Sequence, residues 1–196
     1  MSLPKRLVGV FTSLLFSCLA FVSVATMPTP VQANTALMSN HGQVLSSIRI
    51  DQVGRGYAIV KVVRTFSGQV KLFGDFFNPR GSAIRRDVEI GATTTPGNQL
   101  AVIGGSLVNG GYAIAWRNDH PSTNGGIRYS VLTTEGAYVA RDFKANISHS
   151  VDLQPTSLMR LSNGSFVINW RNLRNGSNWR RSFTAQGVAT SGEQRS

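Results

Sequence analysis

The sequence predicts an all-β protein built from three repeated four-stranded antiparallel units, and three observations carry that prediction. A short motif recurs three times along the chain, turn-forming residues punctuate apolar runs of strand length, and no segment sustains a helical hydrophobic period.

The motif is Gly56-Tyr57-Ala58-Ile59, repeated as Gly111-Tyr112-Ala113-Ile114 and as Ser165-Phe166-Val167-Ile168. A second anchor follows each copy: Phe77-Asn78-Pro79-Arg80-Gly81, Leu132-Thr133-Thr134-Glu135-Gly136 and Phe183-Thr184-Ala185-Gln186-Gly187. Arg86-Asp87-Val88 is matched in turn by Arg141-Asp142-Phe143. These anchors divide the chain into units at about 46–91, 98–147 and 151–196.

Within the second unit the strands are expected at Leu100 to Leu107, Gly111 to Arg117, Gly126 to Thr133 and Ala137 to Lys144. Asn109-Gly110-Gly111 and Asn163-Gly164 are hairpin signals, because their residues tolerate the positive φ that tight turns require. Side chains alternate across a strand, so Tyr112, Ile114 and Trp116 share one face, as do Phe166, Ile168 and Trp170, while Arg117 and Arg171 point the other way. The aromatic face is the expected core. Four strands in about 50 residues is the size of a propeller blade, and three such units make half of a six-bladed ring. Blade-like sheets are the first expectation, with a homodimer closing the ring; a β-trefoil or β-prism within one chain is the alternative.

The run Leu107-Val108-Asn109-Gly110-Gly111-Tyr112-Ala113-Ile114-Ala115-Trp116, together with Leu72-Phe73-Gly74-Asp75-Phe76-Phe77-Asn78-Pro79-Arg80-Gly81, resembles a tandem β-repeat of large bacterial secreted and surface proteins. That repeat has the form L-x-D/N-G-G-F-V-V-x-W followed by R-F-D-x-x-G. The resemblance covers most of residues 46 to 193 and implies a bacterial surface or secreted protein. The first copy departs from it in carrying Lys61 where the others carry Trp116 and Trp170. The glycine- and aspartate-rich nonapeptide of calcium-binding repeats does not occur, so calcium is not implied.

Of the 196 residues, 41% are hydrophobic, enough for one globular core. Lys5 and Arg6, the apolar stretch from Leu7 to Ala25, Pro28 and Pro30, and then Val31-Gln32-Ala33 describe a signal peptide over residues 1–33, leaving 34–196 as a single domain. An uncleaved N-terminal membrane anchor is the alternative, and Leu15-Phe16-Ser17-Cys18 is a weaker lipobox reading. With the leader removed, no stable membrane insertion is expected, and the protein is placed outside the cell, in the periplasm or at the cell surface. Cys18 is the one cysteine and lies in the leader, so the mature chain forms no internal disulfide. Three Asn-x-Ser acceptors, at Asn146, Asn163 and Asn175, read as turns.

Lys and Arg number 20 against 9 Asp and Glu, a net charge of +11 that favours anionic partners. Nearly all of the basic residues beyond the leader are arginines, suited to bidentate recognition of carboxylate, phosphate or sulfate. Each tryptophan is followed by arginine, in Trp116-Arg117-Asn118, Trp170-Arg171-Asn172 and Trp179-Arg180-Arg181. An aromatic face stacks on a sugar ring while arginine and asparagine supply donors. Alternation assigns Trp116 and Trp170 to the core, so the candidate ligand-binding residues are Trp179, Arg180, Arg181, Arg117, Asn118, Arg171 and Asn172. No cofactor or metal is expected, since His41, His120 and His149 show no close ligand spacing. No nucleophile elbow, paired catalytic carboxylates or phosphate-cradling loop is present, and Arg86-Asp87 and Arg141-Asp142 read as solvated strand charges. The expected role is therefore non-catalytic: binding of a glycan or anionic polymer, or else a structural or protein-interaction module of a cell-surface assembly, with a secreted hydrolase as the last alternative.

Overall fold

The computed structural model describes residues 38–92, 96–121, 125–148 and 150–196, all within one compact unit spanning Thr35–Ser196. The leader and His149 lie outside the described residues. The fold is all-β, in three antiparallel sheets. The first contains β1 (Met38–Ser39), β2 (Gly42–Gln52), β3 (Gly56–Thr65), β4 (Val70–Phe77) and β5 (Ala83–Glu89) in sequential order. The second contains β6 (Gln99–Ser106), β7 (Tyr112–Asn118), β8 (Gly126–Leu132) and β9 (Tyr138–Lys144). β10 (Leu153–Arg160), β11 (Phe166–Asn172), β12 (Asn178–Phe183) and β13 (Gln194–Arg195) form the third. The strands expected in the second unit agree with these bounds to within one residue. No helix among the described residues is long and apolar enough to cross a membrane.

Two separate cores hold the sheets together. Between the first and second lie Val60, Val62, Leu72 and Phe76 from one side and Tyr112, Ile114, Trp116 and Leu132 from the other. Between the second and third lie Ala113, Ala115, Tyr129 and Val131, facing Phe166, Ile168, Trp170 and Phe183. The expected aromatic faces are therefore core faces, with Trp116 at 0% and Trp170 at 1% exposure. The second sheet is buried on its other face too, which the alternation did not reveal, because Ala113 and Ala115 carry little hydrophobic signal.

Small residues set the spacing. β6 lies beside both β2 and β10, and at Gly104 and Gly105 an added Cβ would strike Ile50 on one side and Leu158 on the other. Gly136 adopts φ +78 in the turn after β8 and leaves room for the Phe76 ring.

Candidate functional site

A sheet between two others has no free face, so chemistry has to be sought where the stack stops. Two outer faces remain: that of the first sheet, carrying Tyr57, Ile59 and Lys61, and that of the third, carrying Val167, Asn169 and Arg171.

On the third sheet, Trp170 pairs with Trp179 across β11 and β12, while the alternating residues Arg171 and Arg180 pair with Asn178 and Asn169. The two tryptophans therefore share the inner face and the two arginines share the outer one. Trp179 is half-buried, packs against the second core and donates its indole N–H to Ser177 Oγ at 2.9 Å. Arg171 and Arg180 are diagonal neighbours, both exposed, and neither forms an ion pair among the described residues. Met159, 54% exposed, and Val167 lie beside them on cross-strand register.

The remaining sequence-selected residues are placed elsewhere. Arg181 points inward, its guanidinium donating to Ala145 O at 2.9 Å and Ser191 O at 2.9 Å. Asn118 is fully buried, donates to Pro96 O at 3.0 Å and accepts from the His120 N–H. Asn172 accepts the Arg174 N–H at 2.9 Å, an Asx turn. Arg117 is half-buried at the end of β7, on the second sheet. Arg171 and Arg180 are thus the pair that the fold assembles on one open surface.

The outer face of the first sheet has different chemistry. Lys61 Nζ lies 2.9 Å from Asp75 Oδ2 and 2.8 Å from Asp87 Oδ1, with side-chain exposures of 15%, 11% and 22%. Asp87 sits at φ 53, a left-handed conformation that an aspartate tolerates better than most residues. Its N–H donates to Asp75 Oδ1 at 2.9 Å, and Asn40 Nδ2 donates to Asp87 Oδ2 at 3.0 Å. All four carboxylate oxygens therefore hold a donor. The hydrogen bond from Lys61 holds the Asp87 carboxyl below the usual carboxylate range. Burial pushes the Lys61 ammonium towards its neutral form, but the bonds to Asp87 and Asp75 outweigh this and its pKa lies above the ordinary lysine value. Beside the cluster opens a cleft of about 380 Å³ walled by Met38, Val44, Ser47 and Ile59, with Arg86 also in its lining. The β1–β2 hairpin folds over part of this face and stacks His41 on Phe73, ring centroids 4.0 Å apart.

Asp87 is thus a bonded member of a cluster and not the solvated strand charge that its local sequence suggests. The available signal was Lys61 itself, a charge at the position where the other units carry tryptophan. Among the described residues no group of three His, Cys, Asp or Glu is arranged to hold a metal ion. No protein-family model matches the chain, and no curated protein matches it.

Proposed function

We propose that the protein is a secreted, non-catalytic module, built of three blade-like repeats, that binds glycans or another anionic surface polymer. The observation that supports this most is the diagonal placement of Arg171 and Arg180 on an open sheet face, without a carboxylate partner among the described residues. Two guanidinium groups at diagonal strand positions match successive anionic groups along a polymer, and each can bind bidentately. The net charge of +11, which falls to +9 when Lys5 and Arg6 leave with the leader, adds a long-range attraction. The blade reading draws on matched registers, since Tyr57 pairs with Phe77, Tyr112 with Leu132 and Phe166 with Phe183.

Retention on a sulfated-glycan column across a salt gradient tests the reading. The protein should bind at low salt and elute progressively as salt screens the arginines; passage through the column at low salt would overturn it. Exposed Met159 beside Val167 favours a second reading, an interaction module whose partner is a protein.

A further inference from the structure

We propose that the outer face of the first sheet is a docking site for a second copy of this chain, which presents the outer face of its third sheet head to tail. This rests on the blade reading above. Its premise is that both sheet-to-sheet contacts inside the molecule are made by corresponding positions, so that the two outer faces are the two halves of one further contact of that kind.

The strand registers give the correspondence. Ala58 pairs with Ile50 and Phe76, Ala113 with Gly105 and Val131, and Val167 with Met159 and Ser182. Met159 on the third sheet thus stands where Ile50 stands on the first, and Ile50 packs against Gly104 of the sheet that follows. Two residues further along, Val60 pairs with Gly74, Ala115 with Tyr129 and Asn169 with Arg180. Tyr129 reaches the sheet that follows it: its ring lies 6.0 Å from Phe166 and 4.6 Å from Phe183, and its hydroxyl donates to Gly187 O at 2.6 Å. Arg180 occupies the position of Tyr129 on the third sheet.

The receiving face has the matching parts. The counterparts of Phe166 and Phe183 on the first sheet are Tyr57 and Phe77, stacked with centroids 4.7 Å apart. Arg49 lies 3.6 Å from the Tyr57 ring centroid and Arg86 5.5 Å from that of Phe77, so these rings already hold guanidinium groups. The polar anchor is matched as well. On the second sheet Asp142 accepts the N–H of Ala92, from the segment leaving the first sheet, at 3.1 Å. On the third, Glu193 accepts the N–H of Ile147, from the segment leaving the second, at 2.7 Å. Asp87 holds the corresponding place on the first sheet and takes its donors from Lys61 and Asn40 of its own sheet.

The charges also fit one occupant better than another. The exposed outer face of the third sheet carries Arg171 and Arg180 without an acidic neighbour in register, whereas the receiving face sets Asp51, Asp75 and Asp87 against Arg49, Lys61 and Arg86, a balanced set that repels an incoming arginine less than a second third sheet would. A like-to-like contact of two third sheets would bring four arginines together. Head-to-tail contact between two copies gives six sheets and uses both outer faces of each chain, which closes the assembly. Because Arg171 and Arg180 also form the proposed polymer surface, polymer and second copy exclude each other there.

All residues of both cores lie between Ile48 and Ala185, so the chain from Thr35 onward carries its own fold. Light scattering and sedimentation of residues 35–196, without polymer, should give a mass of two copies that falls towards one on dilution or at high salt. Arg180→Glu should weaken association at least tenfold, and so should Ser47→Trp, which plugs the cleft on the other face; Ser47→Arg is the substitute should the tryptophan disturb folding. A chain carrying both substitutions has neither face intact and should stay monomeric throughout. A wild type that stays monomeric over the whole range, or variants that associate as tightly as the wild type, would overturn the proposal. Ser47→Trp leaves the third sheet untouched and should still bind the sulfated column, so loss of self-association and loss of polymer binding are read separately.

Discussion

Where the second and third sheets place Trp116 and Trp170, the first places Lys61, and the difference follows from what lies in front of each. Trp116 meets the first sheet and Trp170 the second, and both are fully enclosed. Among the described residues Lys61 meets the short β1–β2 hairpin and a cleft, and is held by Asp75 and Asp87 instead of by hydrocarbon. One strand position thus supports either an aromatic core residue or a buried-edge ion cluster, according to whether another sheet covers it.

The largest effect should come from the covered position. Trp116→Ala removes a fully enclosed indole and leaves a cavity between two sheets, and should destabilise the protein by about 3–5 kcal/mol in chemical denaturation. Trp170→Ala should fall in the same range. A much smaller loss at either would mean that the sheets can close over the gap.

The uncovered position should respond less, and with a pH signature. Lys61→Met removes both ion pairs and leaves Asp75 and Asp87 facing each other, a loss of roughly 1–3 kcal/mol near neutrality. The Asp87 pKa is depressed in the folded state, so its contribution is present above the unfolded carboxylate value and is lost as pH falls through the lower folded one. For Lys61 the folded value is raised, so its contribution is intact below the ordinary value of 10.5 and is lost as pH rises through the folded one. Stability of wild type and variant, measured against pH, should differ by a constant amount in the neutral range and converge at both extremes. A difference that persists unchanged into strong acid would show that the ion pairs are not its source.

These contrasts also mark what was legible in the sequence. Period-two alternation around Tyr112, Ile114 and Trp116 identified a core face, because a row of large apolar side chains at every second position is costly to leave in water. It could not show that Ala113 and Ala115 face a second core, since alanine is common on open and closed surfaces alike. Nor could it bring Lys61, Asp75 and Asp87 together. That requires the pairing of Ile59 with Asp75 across β3 and β4 and the left-handed Asp87, features of register and backbone that leave no mark in local composition. The assembly of Arg171 with Arg180 likewise depends on the pairing of Trp170 with Trp179. The Trp-Arg recurrence selects this segment, and the strand geometry divides it between two faces.

Trp179 tests that division. It is half-buried on the inner face, so Trp179→Ala should cost less than either enclosed tryptophan, roughly 1–2 kcal/mol for partial loss of an aromatic burial. Because it lies on the face opposite the Arg171–Arg180 pair, the same substitution should leave polymer binding unchanged. Paired melting and titration curves measure both, and a Trp179→Ala loss of stability equal to that of Trp170→Ala would make it a core residue like the others.

The smallest effect on stability, and the sharpest on binding, should come from the outer face itself. Arg180→Ala removes an exposed side chain without an ion-pair partner among the described residues, and should change stability by no more than about 0.5 kcal/mol. Arg174 is the appropriate control. It is also exposed, in the turn between β11 and β12 of the same sheet, but its guanidinium is already bonded to Asp152. Both substitutions lower the net charge by one, so a protein held by overall charge alone would elute from a sulfated column at equally reduced salt in either case. If the polymer reads the Arg171–Arg180 pair, Arg180→Ala should elute distinctly earlier than Arg174→Ala, and adding Arg171→Ala to the first should shift elution further still. Equal shifts for Arg174→Ala and Arg180→Ala would remove the outer face of the third sheet as the binding surface and leave only a diffuse basic attraction, because screening by salt acts on every exposed charge alike.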